Sequence, residues 1–539
     1  MEIKKNSKIF HPFLIAFFPI IAVYSVNIGL IQLEQFIVPT LLIVGCAFLL
    51  FLCLKYILKN AKKAALIVTL GFIIFFSFGH VYNMINQVSV GDTDLGSNRI
   101  LLPIFTILFG ICSFLIIKTK GTFDNATSIV NIISVVFISV IVIMVGIEIL
   151  GCDECIIQQD SSWEFDFNST EKIDFSSYFE DHSFLISESN SFPNVYYIIL
   201  DGYPRNDILE KYVSFDNTEF TNLLEQRGFH VAENSHANYS LSSTSIPAIM
   251  NMNYINFLAD EIGEDSRNYN PLIGKDIGLY ADNQVIKNFK LMGYKVIKIG
   301  SVPMYVHEMP LVDLSTCHKS IHLMDNRLFD TVVRTSMLGY FIERLSENLQ
   351  REIILCAFEE LPKISSYYEE PVFVWSHLMI PHFPLIFGSN GEPITPGKSL
   401  LAMNHPEYTD SDWNVKQQFV QQLQFANKKS IEFIDEILEN EKQSIIIIQS
   451  DHGSGFGINL QDPTDEDITQ KLSNFNAIYF PNEKQREILT DDRTSVNTFR
   501  IVFNSHFGSD YEILEDRIYW SLSIKKPFWF KDVTSVVLN

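Results

Sequence analysis

Five apolar stretches occupy the first 150 residues of this 539-residue chain, and they limit its fold more than any other feature. Each is close to the roughly 20 residues that a helix needs to cross the hydrocarbon core of a bilayer. A buried core helix could explain one stretch, but not five in succession. The first is too long, and too closely followed by the second, for a cleaved signal peptide. The predicted spans cover residues 12–31, 36–58, 64–84, 100–117 and 129–150.

Charge divides the chain at the same place. Residues 1–150 carry ten basic and six acidic side chains, a formal charge of +4, which leaves 30 basic and 57 acidic side chains, or −27, in residues 151–539. That acidic excess excludes a nucleic-acid binder that relies on neutralising phosphates, and the positive mean hydropathy excludes a disordered chain. We therefore predict a five-helix transmembrane domain, residues 1–150, joined to a large acidic domain.

Basic residues in the short loops predict the orientation of the spans. One side of the membrane receives nine lysines and the other receives only Arg99. This asymmetry predicts a cytoplasmic N-terminus and, with five spans, an extracytoplasmic location for everything after residue 150. The nine lysines are Lys4, Lys5, Lys8, Lys55, Lys59, Lys62, Lys63, Lys118 and Lys120.

The outer half begins with an acidic, serine-rich stretch, residues 151–192, which we interpret as a juxtamembrane linker. Residues 193–539 then alternate short β-rich runs with helical segments, a pattern typical of a mostly parallel sheet covered by helices on both faces. The runs cover residues 195–200, 294–299, 372–375, 444–449 and 477–480, and the clearest helical segments cover 207–227, 326–345 and 413–440. Outside the cell, the cysteines of this half could form disulfides, although the sequence does not fix their pairing. They are Cys152, Cys155, Cys317 and Cys356.

Polar side chains directly follow three of the apolar runs. Asp201 follows the first run, His377 and His382 come after another, and Asp451 and His452 follow a third. Ligands of parallel sheets bind beyond the carboxyl ends of the strands, so we expect these groups to meet at one edge. Carboxylate and imidazole together form a ligand set for Zn²⁺ or Mn²⁺. Each group alone is more often a cap or a turn, and it is their coincidence that favours a site.

A hydroxyl-rich stretch, residues 240–245, precedes a predicted helix. A hydroxyl at a helix start beside a divalent cation becomes a nucleophile, because both the metal and the helix end stabilise its anion. The alternative is an ordinary helix N-cap.

These motifs, in this order, resemble the sulfatase-like branch of the alkaline phosphatase superfamily. They are Asp201-Gly202-Tyr203-Pro204-Arg205, residues 238–247, the stretch from His377 to Pro384, and Ser450-Asp451-His452-Gly453. The five spans before an outer domain are similar to those of lipoteichoic acid synthases and lipid A phosphoethanolamine transferases. The resemblance implies a three-layer α/β catalytic domain, with metal ligands at Asp201, Ser242, Asp451 and His452.

The same resemblance suggests roles for the other polar residues. Ser242 stands where the transferases carry their nucleophile, three residues before a Ser-x-Pro, with Thr244 as the alternative. His382 matches a substrate-binding or second-metal histidine and is expected to bind substrate or to assist proton transfer in catalysis. Arg205 and His377, like Thr244, are expected to bind substrate. The chain departs from the family in lacking a late histidine before His506, which favours one bound ion, Mn²⁺ or Zn²⁺, over two.

The sequence therefore predicts a metal-dependent phospho-transferase in the cell membrane. Its donor would be a phospholipid headgroup of phosphoglycerol or phosphoethanolamine type, and its acceptor an envelope glycan or lipid. Two alternatives stay open: an extracytoplasmic phosphodiesterase or sulfatase-like hydrolase, and a catalytically silent envelope-assembly protein. Formylglycine-dependent sulfate hydrolysis is disfavoured, because Ile249 stands where a sulfatase has arginine.

Overall fold

A computed structural model describes most of the chain, and its residues fall into two compact units. One unit comprises Met1–Ser169 and Ser320–Ser346, and the other comprises Thr170–Lys319 and Glu347–Asn539. The predicted linker, apart from its end residues 151 and 192, and the pair Cys152 and Cys155 lie outside the described residues. Those residues are 8–26, 33–85, 89–90, 93–94, 98–151, 192–262, 279–300, 309–319, 326–394, 413–456, 458–459, 462–523 and 526–538.

Five apolar helices form the core of the first unit, and four of them are long and apolar enough to cross a membrane. The first helix has 15 residues, shorter than the predicted span, so the count of five spans is not confirmed. It nevertheless packs against the second and third helices through Ile15, Ala16 and Ile20. The helices are α1 (His11–Ser25), α2 (Leu33–Leu58), α3 (Ala61–Ile85), α4 (Asn98–Lys118) and α5 (Asp124–Gly151), with a short hairpin of β1 (Ser89–Val90) and β2 (Thr93–Asp94).

Charged groups bring alternate ends of these helices together. Lys62 forms an ion pair with Asp124, and Lys63 donates from Nζ to the carbonyl of Ile117 at 2.6 Å. The start of α3, the end of α4 and the start of α5 therefore lie on one side, as the predicted alternation of spans requires. Apolar side chains such as Leu41, Ile107 and Ile132 are more than half exposed, as expected for helices that face lipid.

The second unit is built on a seven-stranded sheet with the strand order β4-β9-β8-β3-β7-β5-β6. The pairs β8–β3, β3–β7, β7–β5 and β5–β6 are parallel, whereas β9 pairs antiparallel with both β4 and β8. The strands are β3 (Val195–Leu200), β4 (His230–Val231), β5 (Lys295–Ile299), β6 (Leu314–Thr316), β7 (Val372–Leu378), β8 (Ile445–Gln449) and β9 (Asn476–Tyr479); β10 (Tyr519–Ser523) and β11 (Lys526–Asp532) form a separate hairpin.

Helices cover both faces of this sheet. Alternate residues of β3 enter two different apolar clusters, with Tyr196 and Ile198 in one and Tyr197 and Ile199 in the other. Because every residue of β3 is buried, the strand is a continuous apolar run rather than an alternating one. The remaining helices are α6 (Asn206–Ile208), α7 (Thr218–Gln226), α8 (Ser242–Asn251), α9 (Phe257–Ile262), α10 (Gln284–Leu291), α11 (Arg327–Arg334), α12 (Gly339–Glu360), α13 (Trp413–Asn440), α14 (Asp465–Leu472), α15 (Glu483–Arg486), α16 (Thr498–His506) and α17 (Thr534–Val537).

The predicted strands and the helix over residues 413–440 are present, with three differences. β7 runs on to Leu378, so His377 lies inside the strand rather than after it. The predicted helix over 207–227 is broken, because a π-helical turn at Leu209–Val213 ends at the left-handed Ser214. The predicted helix over 326–345 is two helices, α11 and α12, and residues 326–346 belong to the membrane unit.

A disulfide joins Cys317 and Cys356 in the second unit. The loop that it closes contains residues 320–346, which lie in the first unit. A disulfide is typical of an oxidising compartment and so agrees with the predicted extracytoplasmic location of this half.

Candidate metal and phosphoryl-transfer site

Three neighbouring parallel strands bring the predicted ligands to one edge of the sheet. β7 and β8 flank β3, and both His377 and Gln449 pair in register with Ile199. Asp201 follows β3 directly, and Asp451 and His452 follow β8, so their side chains converge beyond the carboxyl ends of the strands. Both carboxylates are almost fully buried.

Two oxygen atoms in this cluster have no hydrogen-bond donor. They are Oδ1 of Asp201 and Oδ2 of Asp451, both shielded from solvent. A buried carboxylate oxygen without a donor is unfavourable unless a cation neutralises it. His452 Nε2 lies 3.9 Å from the first oxygen and 3.6 Å from the second. In a tetrahedral site, two ligand atoms that each lie about 2.1 Å from the ion are about 3.4 Å apart. The separations between His452 Nε2 and the two carboxylate oxygens are close to this value, so these atoms fit a zinc-sized ion.

His377 is the third member of a group of possible metal ligands in the described part of the chain. Ligand atoms of Asp201, His377 and Asp451 all lie within 4.8 Å of one another. His377 Nε2 is 3.0 Å from Asp201 Oδ2, a hydrogen-bond distance that leaves Oδ1 free to face the cluster. Burial alone would raise the pKa of Asp201, but the charge of His382 and the hydrogen bond from His377 hold it well below its usual range. The carboxyl is therefore ionised, as a metal ligand must be.

Ser242 begins helix α8 beside this cluster. Its Oγ lies 3.2 Å from His452 Nε2, and its side chain is half-buried. Ser245 donates from Oγ to the carbonyl of Asp451 at 2.6 Å, which fixes the first turn of α8 against the loop after β8. Thr244 is fully buried and donates to the carbonyl of Leu241, within its own turn. The geometry thus places Ser242, rather than Thr244, against the histidine.

Gly202 makes room for two histidines of the site. Its φ of +67° is in the left-handed region, and a Cβ there would lie 3.2 Å from His382 Cδ2 and 3.6 Å from His452 Cε1. The His382 amide donates to the Asp201 carbonyl at 3.1 Å, and its Nδ1 is 2.8 Å from the Phe383 carbonyl. This leaves Nε2 facing the cluster, 4.0 Å from Asp201 Oδ1, on a ring that is 29% exposed. Of the site histidines, His382 is thus open to an incoming molecule.

Lys471, which the sequence analysis missed, adds a buried basic side chain next to the two carboxylates and His452. It lies on α14, is buried, and places Nζ 3.1 Å from His452 Nδ1. Burial lowers its pKa to about 8, although the charges of Asp451 and Asp201 oppose this. Its carbonyl accepts a hydrogen bond from the Gly453 amide at 2.7 Å, so α14 is fastened to the loop that carries the ligands. No sequence signal marks Lys471, because its helix is amphipathic and rich in charges.

Arg205, a predicted substrate-binding residue, and His506, which was not predicted to be in the site, have different surroundings. Arg205 donates from Nε and Nη2 to the carboxylate of Asp207 and from Nη1 to the carbonyl of Ser235, and its described contacts are with that loop rather than with Asp201. His506 packs on Phe480, 4.5 Å between ring centroids.

Comparisons with solved structures return enzymes of the kind that the motifs resemble. The periplasmic domain of EptC from Escherichia coli, in complex with Zn, is 11% identical over 65% of this chain and 90% of its own, with a TM-score of 0.40. The integral membrane phosphoethanolamine transferase EptA from Neisseria meningitidis is 10% identical over 92% of this chain and 95% of its own, at 0.37. A phosphonate monoester hydrolase of Agrobacterium radiobacter is 13% identical over 61% of this chain and 80% of its own, at 0.39.

No protein-family model and no curated protein matches the chain. Structural likeness at these TM-scores assigns no function, so the function proposed below rests on the residues of the site.

Proposed function

We propose that this chain is a membrane-anchored, metal-dependent phospho-transferase that works through a phospho-enzyme on Ser242. It would move a phospholipid-headgroup phospho-group, of phosphoglycerol or phosphoethanolamine type, to an envelope glycan or lipid. The observation that carries the proposal is a hydroxyl at a helix start, 3.2 Å from His452 Nε2 and beside two buried carboxylate oxygens that lack donors.

We infer one divalent ion, Zn²⁺ or Mn²⁺, held by Asp201, Asp451, His452 and the Ser242 hydroxyl. When bound, such an ion lowers the pKa of the hydroxyl and offsets the charge of the phospho-group. His377 orients the Asp201 carboxylate through its hydrogen bond, an outer-shell role that is common for ligating carboxylates. Lys471, whose Nζ lies 3.1 Å from Nδ1 and 3.5 Å from Nε2 of His452, limits the net negative charge of the pair of carboxylates.

The residues divide the transfer into two displacements. The Ser242 hydroxyl gives up its proton to solvent and its Oγ attacks phosphorus, while the first-turn amides of α8 stabilise the negative charge that develops there. The bond from phosphorus to the diacylglycerol oxygen breaks, and His382 Nε2 donates a proton to that oxygen. An acceptor hydroxyl then attacks the phosphoserine and transfers its proton to His382, the bond from phosphorus to Ser242 Oγ breaks, and this oxygen takes a proton back from solvent.

The membrane unit explains why such an enzyme would be anchored. A lipid donor is confined to the bilayer, so an anchor keeps the site near its substrate. With the N-terminus in the cytoplasm, the second unit lies outside, where envelope glycans and lipids are found. The charge of −27 on residues 151–539 repels anionic headgroups, so the site itself must provide the attraction.

The test uses full-length protein in phospholipid nanodiscs with a donor lipid labelled in its headgroup phosphate. We expect about one Zn²⁺ or Mn²⁺ per chain and a labelled phosphoserine at Ser242. Ser242→Ala should abolish the label, whereas Ser243→Ala, its half-buried neighbour, should keep it. Protein that binds no divalent metal, or that labels equally in Ser242→Ala, contradicts the proposal. If the label passes to water even with envelope extract present, the enzyme is a hydrolase.

A further inference from the structure

Residues 326–346 come from the acidic half of the sequence but pack in the membrane unit. The segment begins at Asn326, which donates from Nδ2 to the carbonyl of Gln35 at 2.9 Å. Leu328 and Val332, one turn apart on α11, are fully buried in a cluster formed with α1, α2 and α3. The amphipathic pattern predicted a helix that packs on the sheet. In the structure, the apolar side of α11 packs on membrane helices instead.

The same segment inserts its backbone into helix α3. The Gly79 amide donates to the carbonyl of Thr335 at 3.1 Å, and the Met337 amide donates to the carbonyl of Phe75 at 3.0 Å. The Gly79 amide and the Phe75 carbonyl are the two groups that bond to each other in a regular α-helix. Only glycine permits this approach, because a Cβ on residue 79 would lie 2.7 Å from the Thr335 carbonyl carbon.

An apolar face follows the point of insertion. Leu338, Phe341 and Leu345 are 45%, 57% and 44% exposed, and their spacing of three and four residues puts them on one face of the chain as it enters α12. Phe75 and Gly79 lie about 21 and 27 Å along α3 from Ala61, at 1.5 Å per residue. In a hydrocarbon core about 30 Å thick, both residues therefore lie in the far half of the membrane.

We propose that residues 326–346 are a membrane-interfacial element whose face of Leu338, Phe341 and Leu345 lies in the phospholipid leaflet at this end of α3. The face is continuous with lipid-facing surface, because Leu338 follows Met337, which packs with α3 and α4. Apolar side chains at the end of the hydrocarbon core are stabilised by burial among acyl chains.

This element gives the catalytic half a second attachment to the bilayer. The Cys317–Cys356 disulfide joins the two strands of chain that lead to and from residues 320–346. The chain therefore passes between the two units at residues 319–320 and 346–347 as well as at residues 169–170. A site that takes its donor from the leaflet benefits from such a restraint, although the interfacial element does not depend on the chemistry of the site.

The experiment measures the depth of residue 341 in full-length protein. Phe341→Trp is reconstituted in phosphatidylcholine nanodiscs with or without bromine on the acyl chains, and the emission of the parent's own tryptophans is subtracted. We expect brominated acyl chains to quench the added tryptophan, since quenching requires contact. An added tryptophan that is not quenched overturns the proposal.

Two glycine variants of the same protein test the insertion. Gly79→Val should abolish quenching of the tryptophan at 341, because its side chain expels the Thr335 carbonyl. Gly110→Val is the matched control: it is also a glycine in a membrane helix, but a Cβ there meets nothing within 4 Å. Its quenching should be unchanged. Equal quenching in both variants would show that the insertion at Gly79 does not hold the element, and would overturn that part of the proposal.

Discussion

Ser242 Oγ and His452 Nε2 lie 3.2 Å apart, although they come from the start of a helix and the end of a strand separated by 210 residues. Neither element alone indicates chemistry, since hydroxyls often begin helices and an Asp-His pair often follows a strand. Their contact, beside two carboxylate oxygens that lack donors, supports the proposed site over two ordinary caps.

Replacement of Asp451 by asparagine separates metal binding from folding. In the parent, added Zn²⁺ or Mn²⁺ should raise the unfolding temperature, since a ligand at 100 times its Kd stabilises by about 2.7 kcal/mol. Asp451→Asn should lose this increase, because a neutral amide oxygen replaces an anionic ligand. The metal-free variant should be at least as stable as the metal-free parent, because an unneutralised buried charge is gone.

Thermal unfolding in detergent with and without metal measures both effects. Asp216→Asn, at an exposed carboxylate, is the control and should keep the increase. Metal stabilisation that survives in Asp451→Asn would exclude this residue as a ligand.

Replacement of Gly202 by alanine tests the crowding around His382. The new methyl group would lie 3.2 Å from His382 Cδ2, so the ring must shift relative to the transferring group. We expect kcat to fall by about 10²-fold, the loss typical of misplacing a positioned group by about 1 Å. Metal content should stay near the parent value if only His382 moves.

Gly293→Ala is the matched control for backbone strain. Both glycines have positive φ, but a Cβ at residue 293 meets nothing within 4 Å. Each variant should lose about 1 kcal/mol of stability, because alanine disfavours this backbone region. If Gly293→Ala reduces kcat as much as Gly202→Ala, the loss reflects general instability rather than the position of His382.

The sheet edge could be predicted from the sequence because apolar runs and the polar residues that end them are local signals. Asp201, Asp451 and His452 meet as expected, since the runs before them form adjacent parallel strands. The sequence predicts that His377 follows the strand, whereas it lies inside β7, because the strand buries two polar residues, Ser376 and His377, before it ends. Lys471 could not be foreseen, because which face of α14 turns to the site depends on contacts distant in sequence.

The interfacial segment shows the other limit of sequence reasoning. An amphipathic helix such as α11 has the same periodicity whether its apolar side covers a sheet or a membrane helix. Gly79, in the middle of an apolar run, signals a close backbone approach only once the approaching chain is known. The disulfide partners were likewise open until the fold brought Cys317 and Cys356 together.

Because Lys298 is buried, we predict that the free energy of unfolding rises at high pH. Burial lowers the pKa of Lys298 to about 8, from 10.5 when unfolded, and its Nζ lies over the rings of Tyr280 and Trp375. Between these two pKa values the unfolded chain binds more protons than the folded one, so the free energy of unfolding rises with pH. Lys298→Met should remove up to about 3 kcal/mol of that rise.

Denaturant unfolding from pH 7.5 to pH 10.5 measures the slope. Lys287→Met, at a lysine that is 41% exposed, is the control and should keep the parent slope. An unchanged slope in Lys298→Met would mean that the lysine stays charged and solvated in the fold.

Loss of the Cys317–Cys356 disulfide should destabilise the second unit. The bond joins residues 39 apart in sequence, and closing a loop of that length in the unfolded chain is worth about 4 kcal/mol. We expect Cys317→Ser/Cys356→Ser to lower the unfolding temperature and the midpoint in denaturant. Reducing agent should lower both for the parent but not for the double variant. Cys46→Ser/Cys53→Ser, at free cysteines of α2, is the control and should respond to reductant like the parent. A double variant as stable as the oxidised parent would show that packing alone fixes this loop.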